Sequence, residues 1–550
     1  MKKNYMKFLA VFMTSMVVLT GCSDKSSAAS NGNGAGEKKE ETVLEIAPVG
    51  QYPIVQEPIT LKVFTTRDTP SNNFDIKTNG FVKQLEELTN VKIEWDIATG
   101  DGSQQTQKLN LKLASGDYPD VFLRTPMSRA QLQLYGQQGL LLPLNDYIEN
   151  NTTNLKAVFE ELDYLKDALT APDGNIYGLP SINLAYHVMY PNKLWLNQTW
   201  LEKLNLSEPK TTEEFYQVLK AFKEQDPNGN GKADEIPLAA AGSEGNTGLF
   251  MNLMNSFVYY DGTFTQLVDG KIEFIADDEA FREGLRYIAK LYKEGLIAQN
   301  VFTMDRTQTT AIGMSEEPIL GAAPAMWIGQ FVQGSLANEA GSRFWDYQLA
   351  MEPLEGPNGV KQTAAPKPDM VGNAFSITSS CKTPEVAMQM IDYLYSMEGS
   401  LNGHYGPERE TKEELDKEGY GWRRAVEGEV GADGQKAIWD NKGFLGDSNS
   451  GLYDRIFPLY QPTKLHTGSV VADPSLSNEK LLWEVTDSKM VPYAVDKSVP
   501  KLFMSDEVSS VLAEQETTIK AAVVEAMAQF VTGVRDIEKD WDKYVKDLQG

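Results

Sequence analysis

Apolar positions along this chain recur at two spacings. Phe81, Leu85 and Leu88 stand three and four residues apart and predict a helix, while Val91-Lys92-Ile93-Glu94-Trp95 alternates as a half-buried strand does. Ile59-Thr60-Leu61-Lys62-Val63-Phe64 alternates too, and ordered structure is expected to begin there. Leu109, Leu111, Leu113 and Ala114 lead into the turn Ser115-Gly116-Asp117-Tyr118-Pro119, which feeds a short apolar strand at Val121-Phe122. Thr211 and Glu214 form a capping box ahead of Phe215, Val218, Leu219 and Phe222. Phe281, Leu285, Ile288, Leu291 and Tyr292 make an amphipathic face that stops at Gly295. Ile519, Val523, Met527 and Phe530 share a stripe before Gly533, and Trp541, Tyr544, Val545 and Leu548 carry the pattern almost to the last residue. The final periodicity therefore does not itself mark a terminus. Alternating helices and strands without an internal repeat argue for α/β lobes.

The first residues behave differently. Lys2, Lys3 and Lys7 form a positive flank to an apolar run from Phe8 to Leu19, which is short of the ~20 residues that span a bilayer and reads as a signal peptide, residues 1–21. Its end, Leu19-Thr20-Gly21-Cys22, resembles the bacterial lipobox, which implies lipidation of Cys22 by palmitate-like acyl chains and anchoring to the cell membrane on its extracytoplasmic face. Residues 22–58 are then the acylated cysteine and a flexible Ser/Gly/Lys/Glu tether. Gly32, Gly34 and Gly36 have no strand before them or helix after them, so they are no nucleotide loop. Cys381 is the only other cysteine, so no intramolecular disulfide is expected once Cys22 is acylated.

The roughly 490 residues from 59 to 550 exceed what one core supports, which predicts two lobes. A formal net charge of −26 disfavours nucleic acid and phospholipid headgroups as partners.

Several stretches together resemble the extracellular solute-binding proteins of carbohydrate ABC importers, in the lipoprotein subgroup that includes alginate-oligosaccharide binders. They are Leu113–Val121, Gly139–Ile148, Asp173–Pro180, Asn197–Leu201 leading to Pro209–Thr211, Tyr292–Ile297 and Pro384–Tyr395. The sequence departs from that pattern after Gly403–Glu408, where a charged stretch, Arg409–Glu418, precedes Gly419–Trp422. The resemblance implies a two-lobed, periplasmic-binding-protein-like α/β fold with hinge strands and an interlobe ligand cleft. On that plan lobe 1 is expected at 59–185 plus 309–378, and lobe 2 at 186–308 plus 379–550. It also implies a monomer that captures an oligosaccharide and delivers it to ABC permease subunits, without catalysis of its own.

Asp226-Pro227-Asn228-Gly229-Asn230-Gly231-Lys232-Ala233-Asp234-Glu235 is the sharpest local motif. Oxygen donors at loop positions 1, 3, 5 and 9 with Gly at 6 match the start of an EF-hand loop, because Ca²⁺ takes 6–8 oxygens at about 2.3–2.6 Å. Asp226, Asn228, Asn230, the Lys232 carbonyl, Asp234 and Glu235 are the expected ligands of a structural calcium ion. Pro237 stands where the usual final Glu would be, so Glu235 is expected to supply the bidentate carboxylate. A polar Asn/Gly turn is the alternative reading.

Sugars stack their C–H faces on aromatic rings and are ringed by polar groups. Candidates to bind the ligand are Trp327, Tyr405 and Trp422, with Arg67, Asp68 and Arg124 just after predicted strands. Trp195 and Trp200 are expected to pack the lobe. His187, His404 and His466 are the only histidines and form no H-E-x-x-H pair; no G-x-S-x-G elbow or Walker-type loop is present, and Gly446-Asp447-Ser448-Asn449 reads as a loop. With 77 carboxylates, a surface-anchored glycoside hydrolase remains the alternative function.

Overall fold

The computed structural model describes residues 44–549 apart from 67–75, 242–247, 366–371, 443–456, 459, 502 and 505, and residues 45–550 form one compact unit. Its core is built on two sheets. The first holds β1 (Ile59–Thr66), β2 (Val91–Ala98), β3 (Val121–Leu123) and a return strand, Phe375–Ile377, in the order return–β3–β1–β2. β1 pairs in parallel with both neighbours, whereas the return strand runs antiparallel to β3. Lying between two strands, β1 is buried continuously from Val63 to Thr66 and does not alternate to its end.

The helix Gly80–Thr89 returns the chain from β1 to β2. Asn79 starts it by accepting from the Phe81 and Val82 amides at 3.0 and 3.1 Å, and Asn90 ends it in the left-handed region. Phe64, Leu109, Phe122, Leu132 and Tyr177 form the apolar core on one face.

In the second sheet Leu194–Leu196 lies between Ala322–Pro324 and Leu349–Ala350, antiparallel to both. Trp195 packs with Phe331, Phe344 and Tyr347, and Trp200 packs with Phe215, Leu219 and Phe222, as expected of both tryptophans. The capping box at Thr211 and Glu214 forms as read from the sequence. The helices Glu279–Lys293 and Asp506–Thr532 share this core through Leu285, Ile288, Val523 and Phe530.

Two short parallel ladders lie where the chain passes between the bodies. Tyr460–Gln461 pairs with Ile182–Asn183, and Thr363–Ala364 pairs with Ala494–Val495. Each joins two distant segments of the chain, as the hinge strands of a two-lobed fold do.

Two boundaries differ from expectation. Order begins before Ile59: Ile46 bridges Val55, and Ile54 and Val55 are fully buried against the start of β2, with Asn90 Nδ2 donating to the Val55 and Gln56 carbonyls. The Ser/Gly composition of the tether ends well before this segment, which buries its few apolar residues by pairing with itself. The lobes also divide differently. Residues 322–324 and 349–350 pair in the second sheet and not with lobe 1, and helix Pro384–Leu394 packs beside the first sheet and not with lobe 2. Strand partners are chosen over hundreds of residues, and local periodicity carries no record of that choice.

Helix Pro384–Leu394 is held by one buried carboxylate. Asp392 Oδ2 accepts from the Thr153 amide at 3.0 Å and hydroxyl at 3.3 Å, and from the Asn154 amide and side-chain nitrogen at 3.2 and 3.1 Å; Oδ1 accepts from the Leu155 amide at 2.8 Å. These donors are the first turn of helix Asn154–Glu161, whose dipole favours an anion there. Asp392→Ala leaves them unpaired and is expected to cost about 3 kcal/mol, with Asp392→Asn costing less because one acceptor survives. Urea unfolding checks this; equal midpoints for Asp392→Ala and wild type would refute the clamp.

Candidate functional site

Strand ends place the candidate ligand residues. β3 ends at Leu123, and Arg124 follows with φ +46°, a strained conformation for a residue with a Cβ. Its contacts include its amide donating to the Ala374 carbonyl at 2.8 Å, its carbonyl accepting from Thr66 Oγ1 at 2.7 Å, and its Nη1 donating to Ser181 Oγ at 3.0 Å and to the Phe457 carbonyl at 3.5 Å. The guanidinium is thus fixed at the carboxyl edge of the first sheet, beside Ser181, just ahead of Ile182–Asn183. Arg67 and Asp68, which follow β1, lie outside the described residues, as does Gly446–Asn449.

On the second sheet, Trp327 follows Ala322–Pro324 and is half-buried. Its ring covers Gly329, where a Cβ would stand 2.1 Å from the indole, and Gly334, so small residues make room for it and leave part of it exposed. Tyr405 ends the helix Met397–Tyr405 and is also half-buried, 4.3 Å from the Trp439 ring. Trp422 corrects the sequence reading. It is 2% exposed in a core with Leu401, Trp439 and Leu465, and its indole N–H donates to Asn402 Oδ1 at 2.9 Å. The charged stretch after Arg409 folds as the helix Lys412–Glu418, capped by Thr411, and carries the chain back so that Trp422 packs inward. The aromatic run alone could not distinguish a core ring from a cleft ring.

Residues that the sequence reading did not select gather nearby. Tyr186 and His187 lie on the short helix Tyr186–Met189, and His466 lies on Thr463–Thr467. Glu479 lies on Asn478–Val485. The Tyr186 hydroxyl donates to Glu479 Oε2 at 2.6 Å, and His466 Nδ1 stands 3.9 Å from that oxygen. The rings of His187 and His466 meet edge-on at 5.4 Å, and Tyr186 stands 5.3 Å from the Trp483 ring. Burial pushes His187 down to about 3, assisted by His466 and Lys193, and pushes His466 down to about 4, assisted by His404. Burial raises the Glu479 carboxyl, and the Tyr186 hydrogen bond partly offsets this. Lys193, 0% exposed, is lowered to about 7 by burial and donates to the Tyr190 carbonyl. The rarity of histidine was the one signal available: all three in the chain belong to this neighbourhood, with His404 in contact with Gln461 and Tyr405.

A shallow pocket open to solvent is lined by Asn192, Leu194, Asn255, Met351, Glu352 and Thr363. Cys381 is buried and its thiol is pushed up to about 11, so it is a packing residue with little thiolate.

The acidic loop makes a tight turn closed on Asp226. Asp226 Oδ1 accepts from the Gly229 and Asn230 amides, and its Oδ2 from the Gly231 amide, at 3.0–3.1 Å. Asn228 and Asn230 both turn inward and donate to Asp234. Gly229 and Gly231 take positive φ, as the reversal requires. Glu235 Oε1 is buried with no partner, and burial raises its carboxyl, followed by the charges of Asp234 and Asp226. Among the described residues no group of three His, Cys, Asp or Glu is placed to hold a metal alone, so this donor set depends on its two asparagines. An orphaned carboxylate oxygen beside two further carboxylates fits a divalent cation.

The family model described as bacterial extracellular solute-binding protein matches residues 73–400. Over its whole length the chain is 28% identical to the fructooligosaccharide ABC transporter substrate-binding protein FusA of Streptococcus pneumoniae serotype 4, covering 95% of that protein. The solved structure of S. pneumoniae FusA with kestose matches 89% of this chain and 95% of its own, at 26% identity and TM-score 0.66. An EF-hand mutant of FusA with fructo-nystose matches the same shares at 26% identity and TM-score 0.65.

The two histidines make stability depend on pH. They stay neutral when folded but titrate near 6.5 when unfolded, so their contribution is complete above about pH 6.5 and is lost as pH falls towards 4. Glu479, raised in the fold, contributes with the opposite sign and is common to both proteins in the comparison. Between pH 6.5 and 4.5 the melting temperature of wild type should fall further than that of His187→Gln/His466→Gln. Parallel curves would rule the pair out as the source.

Proposed function

Because the chain belongs to the bacterial extracellular solute-binding protein family, we propose that it binds an oligosaccharide between its lobes and delivers it to the permease of an ABC importer. The observation that carries this reading is the full-length similarity to FusA, named as a fructooligosaccharide-binding ABC transporter subunit, together with the fold shared with its kestose complex. Trp327 and Tyr405 supply half-exposed rings for sugar faces, and Arg124 supplies a fixed donor at the first sheet's edge. Arg67 and Asp68 are proposed to join them from the segment after β1. Closure about the two hinge ladders follows from the ligand's preference for the closed form. The relatives are binding subunits and not enzymes, which favours capture over the hydrolase alternative.

Calcium in the 226–235 loop is proposed to be structural. Asp226, Asn228, Asn230, Asp234 and Glu235 would hold it with the Lys232 carbonyl, and the existence of an EF-hand in FusA supports this. The ion would neutralise the loop's carboxylates and tie the loop to the helix Thr212–Glu224 before it. Acyl chains on Cys22 are proposed to hold the protein at the extracytoplasmic face of the cell membrane, as the Leu19–Cys22 motif suggests.

The chain from Ser23 onward keeps the whole compact unit and serves for the test. A cognate oligosaccharide at about 100 times its Kd should add ~2.7 kcal/mol to unfolding and be recovered intact. Recovery of a shortened sugar would favour the hydrolase. Calcium should raise the melting temperature of wild type but not of Asp226→Ala/Asp234→Ala; an equal rise in both would place the ion elsewhere.

A further inference from the structure

A ladder of two residues has few backbone hydrogen bonds with which to hold an angle between two bodies. At Thr363–Ala364 and Ala494–Val495 a side chain adds to them. Glu352 stands two residues past the strand Leu349–Ala350 of the second sheet. Its Oε2 accepts from Lys361 Nζ at 2.8 Å and from the Tyr493 hydroxyl at 3.1 Å. Lys361 lies two residues before Thr363, and Tyr493 lies immediately before Ala494. One carboxylate oxygen therefore grips both strands of the ladder, each at the point where it begins. Lys361 Nζ also sits 4.4 Å from the centre of the Tyr493 ring.

The second body braces that carboxylate. Lys210 Nζ stands 3.4 Å from Glu352 Oε1 and 3.4 Å from Glu208 Oε1. Lys489 Nζ donates to Glu208 Oε1 at 3.0 Å and to the Ala350 carbonyl at 2.7 Å. Asn192 Nδ2, just ahead of the strand Leu194–Leu196, donates to the Ala364 carbonyl at 3.3 Å. The Lys361 hydrogen bond holds the Glu352 carboxyl down to about 2, against the effect of burial and with Tyr493 and Lys210 assisting. It is thus a carboxylate at neutral and mildly acid pH, and hydrogen bonds to an ionised acceptor are the stronger kind. The Glu352 and Lys361 side chains are 23% and 19% exposed, which limits screening by salt.

The other ladder is fastened to the first body. The Tyr460 hydroxyl donates to Glu161 Oε2 at 3.0 Å, Ser400 Oγ donates to the Tyr460 carbonyl, and the Tyr395 hydroxyl donates to the Pro180 carbonyl at 2.6 Å. Glu161 ends the helix Asn154–Glu161, and Tyr395 follows Pro384–Leu394 beside the first sheet. The two ladders are therefore tied to opposite bodies, and any rotation of one body on the other turns one ladder against the other.

We propose that Glu352 is a positioning residue of the hinge: its carboxylate, shared between Lys361 and Tyr493, fixes the direction in which both strands of the 363–364 and 494–495 ladder leave the second body. The clamp narrows the range of arrangements that the two lobes adopt without ligand, so less freedom is lost when a ligand selects one of them. This goes beyond the oligosaccharide reading and does not depend on which solute is bound.

The test is pulsed electron–electron resonance on the unliganded chain from Ser23 onward, with spin labels at Lys166→Cys and Glu224→Cys. Both positions are exposed, the first on the helix Leu165–Leu169 of the first body and the second at the end of the helix Thr212–Glu224. Cys381, buried with its thiol pushed up to about 11, stays unlabelled. The labelled wild type should give a narrow distance distribution, and Glu352→Gln one about twice as wide. Lys361→Arg, which keeps the cation, should stay as narrow as wild type. So should Lys480→Gln, which removes an ion pair with Glu484 inside the helix Asn478–Val485. If Glu352→Gln loses its melting transition, Tyr493→Phe takes its place with the same expectation. Equal widths in wild type and Glu352→Gln would overturn the clamp. A Lys480→Gln distribution as wide as that of Glu352→Gln would overturn it too, since loss of an unrelated ion pair would then loosen the lobes equally. Neither result touches the oligosaccharide reading, which is decided by its own ligand-dependent unfolding.

Discussion

The architecture depends on the pairing of Phe375–Ile377 with Val121–Leu123, strands some 250 residues apart. A buried strand edge cannot be left without partners, because each unpaired backbone group costs as much as a lost hydrogen bond. The chain therefore cannot build the second body and simply continue; it must come back. Around the return strand the Arg124 amide reaches the Ala374 carbonyl, the Thr378 amide reaches Asp120 and the Leu142 amide reaches Ile377. That return makes the chain run between the two sheets more than once and brings Arg124 to the sheet's edge in a strained conformation; among the described residues, the short ladders 182–183 with 460–461 and 363–364 with 494–495 join the distant segments. Ladders so short resist bending far less than the eight-residue pairing of β1 with β2. Stiff bodies on thin joints follow from one long-range pairing.

The same molecule treats buried polar groups in two ways. Asp392, deep beside the first sheet, is saturated with donors from Thr153, Asn154 and Leu155, as a group with a purely architectural role should be. At the hinge crossings, His187, His466 and Asn478 keep atoms unpaired in a setting where pairing would be expected. Glu235 in the acidic loop resembles the second group. Unpaired buried atoms also occur beside the first sheet, at Ser376 Oγ and at Gln389 Oε1 on the same helix as Asp392, so an unpaired atom alone does not mark a ligand site.

Much of the local structure was legible in the residues. The Thr211–Glu214 box, the face from Phe281 to Tyr292 and the strand at Val91 all formed where their spacing placed them, because caps and amphipathic periods act over three or four residues. The acidic loop's turn was legible for the same reason. Ile54 and Val55 were missed because two apolar residues make no period, and Trp422 was misassigned because an indole in a core and an indole in a cleft look alike in sequence.

By itself the sequence determined the alternation of helices and strands, the polar turn from Asp226 to Glu235, and the family, through short motifs kept in order. Only the tertiary structure decided which body residues 322–324 and 384–394 join, that Trp422 faces inward, and that His187, His466 and Glu479 meet. The physical reason is range. Capping, turning and amphipathic periodicity are short-range and leave their mark in neighbouring residues. Strand pairing and the meeting of distant side chains are set by burial across hundreds of residues, and the order of residues along the chain does not encode them in any local pattern.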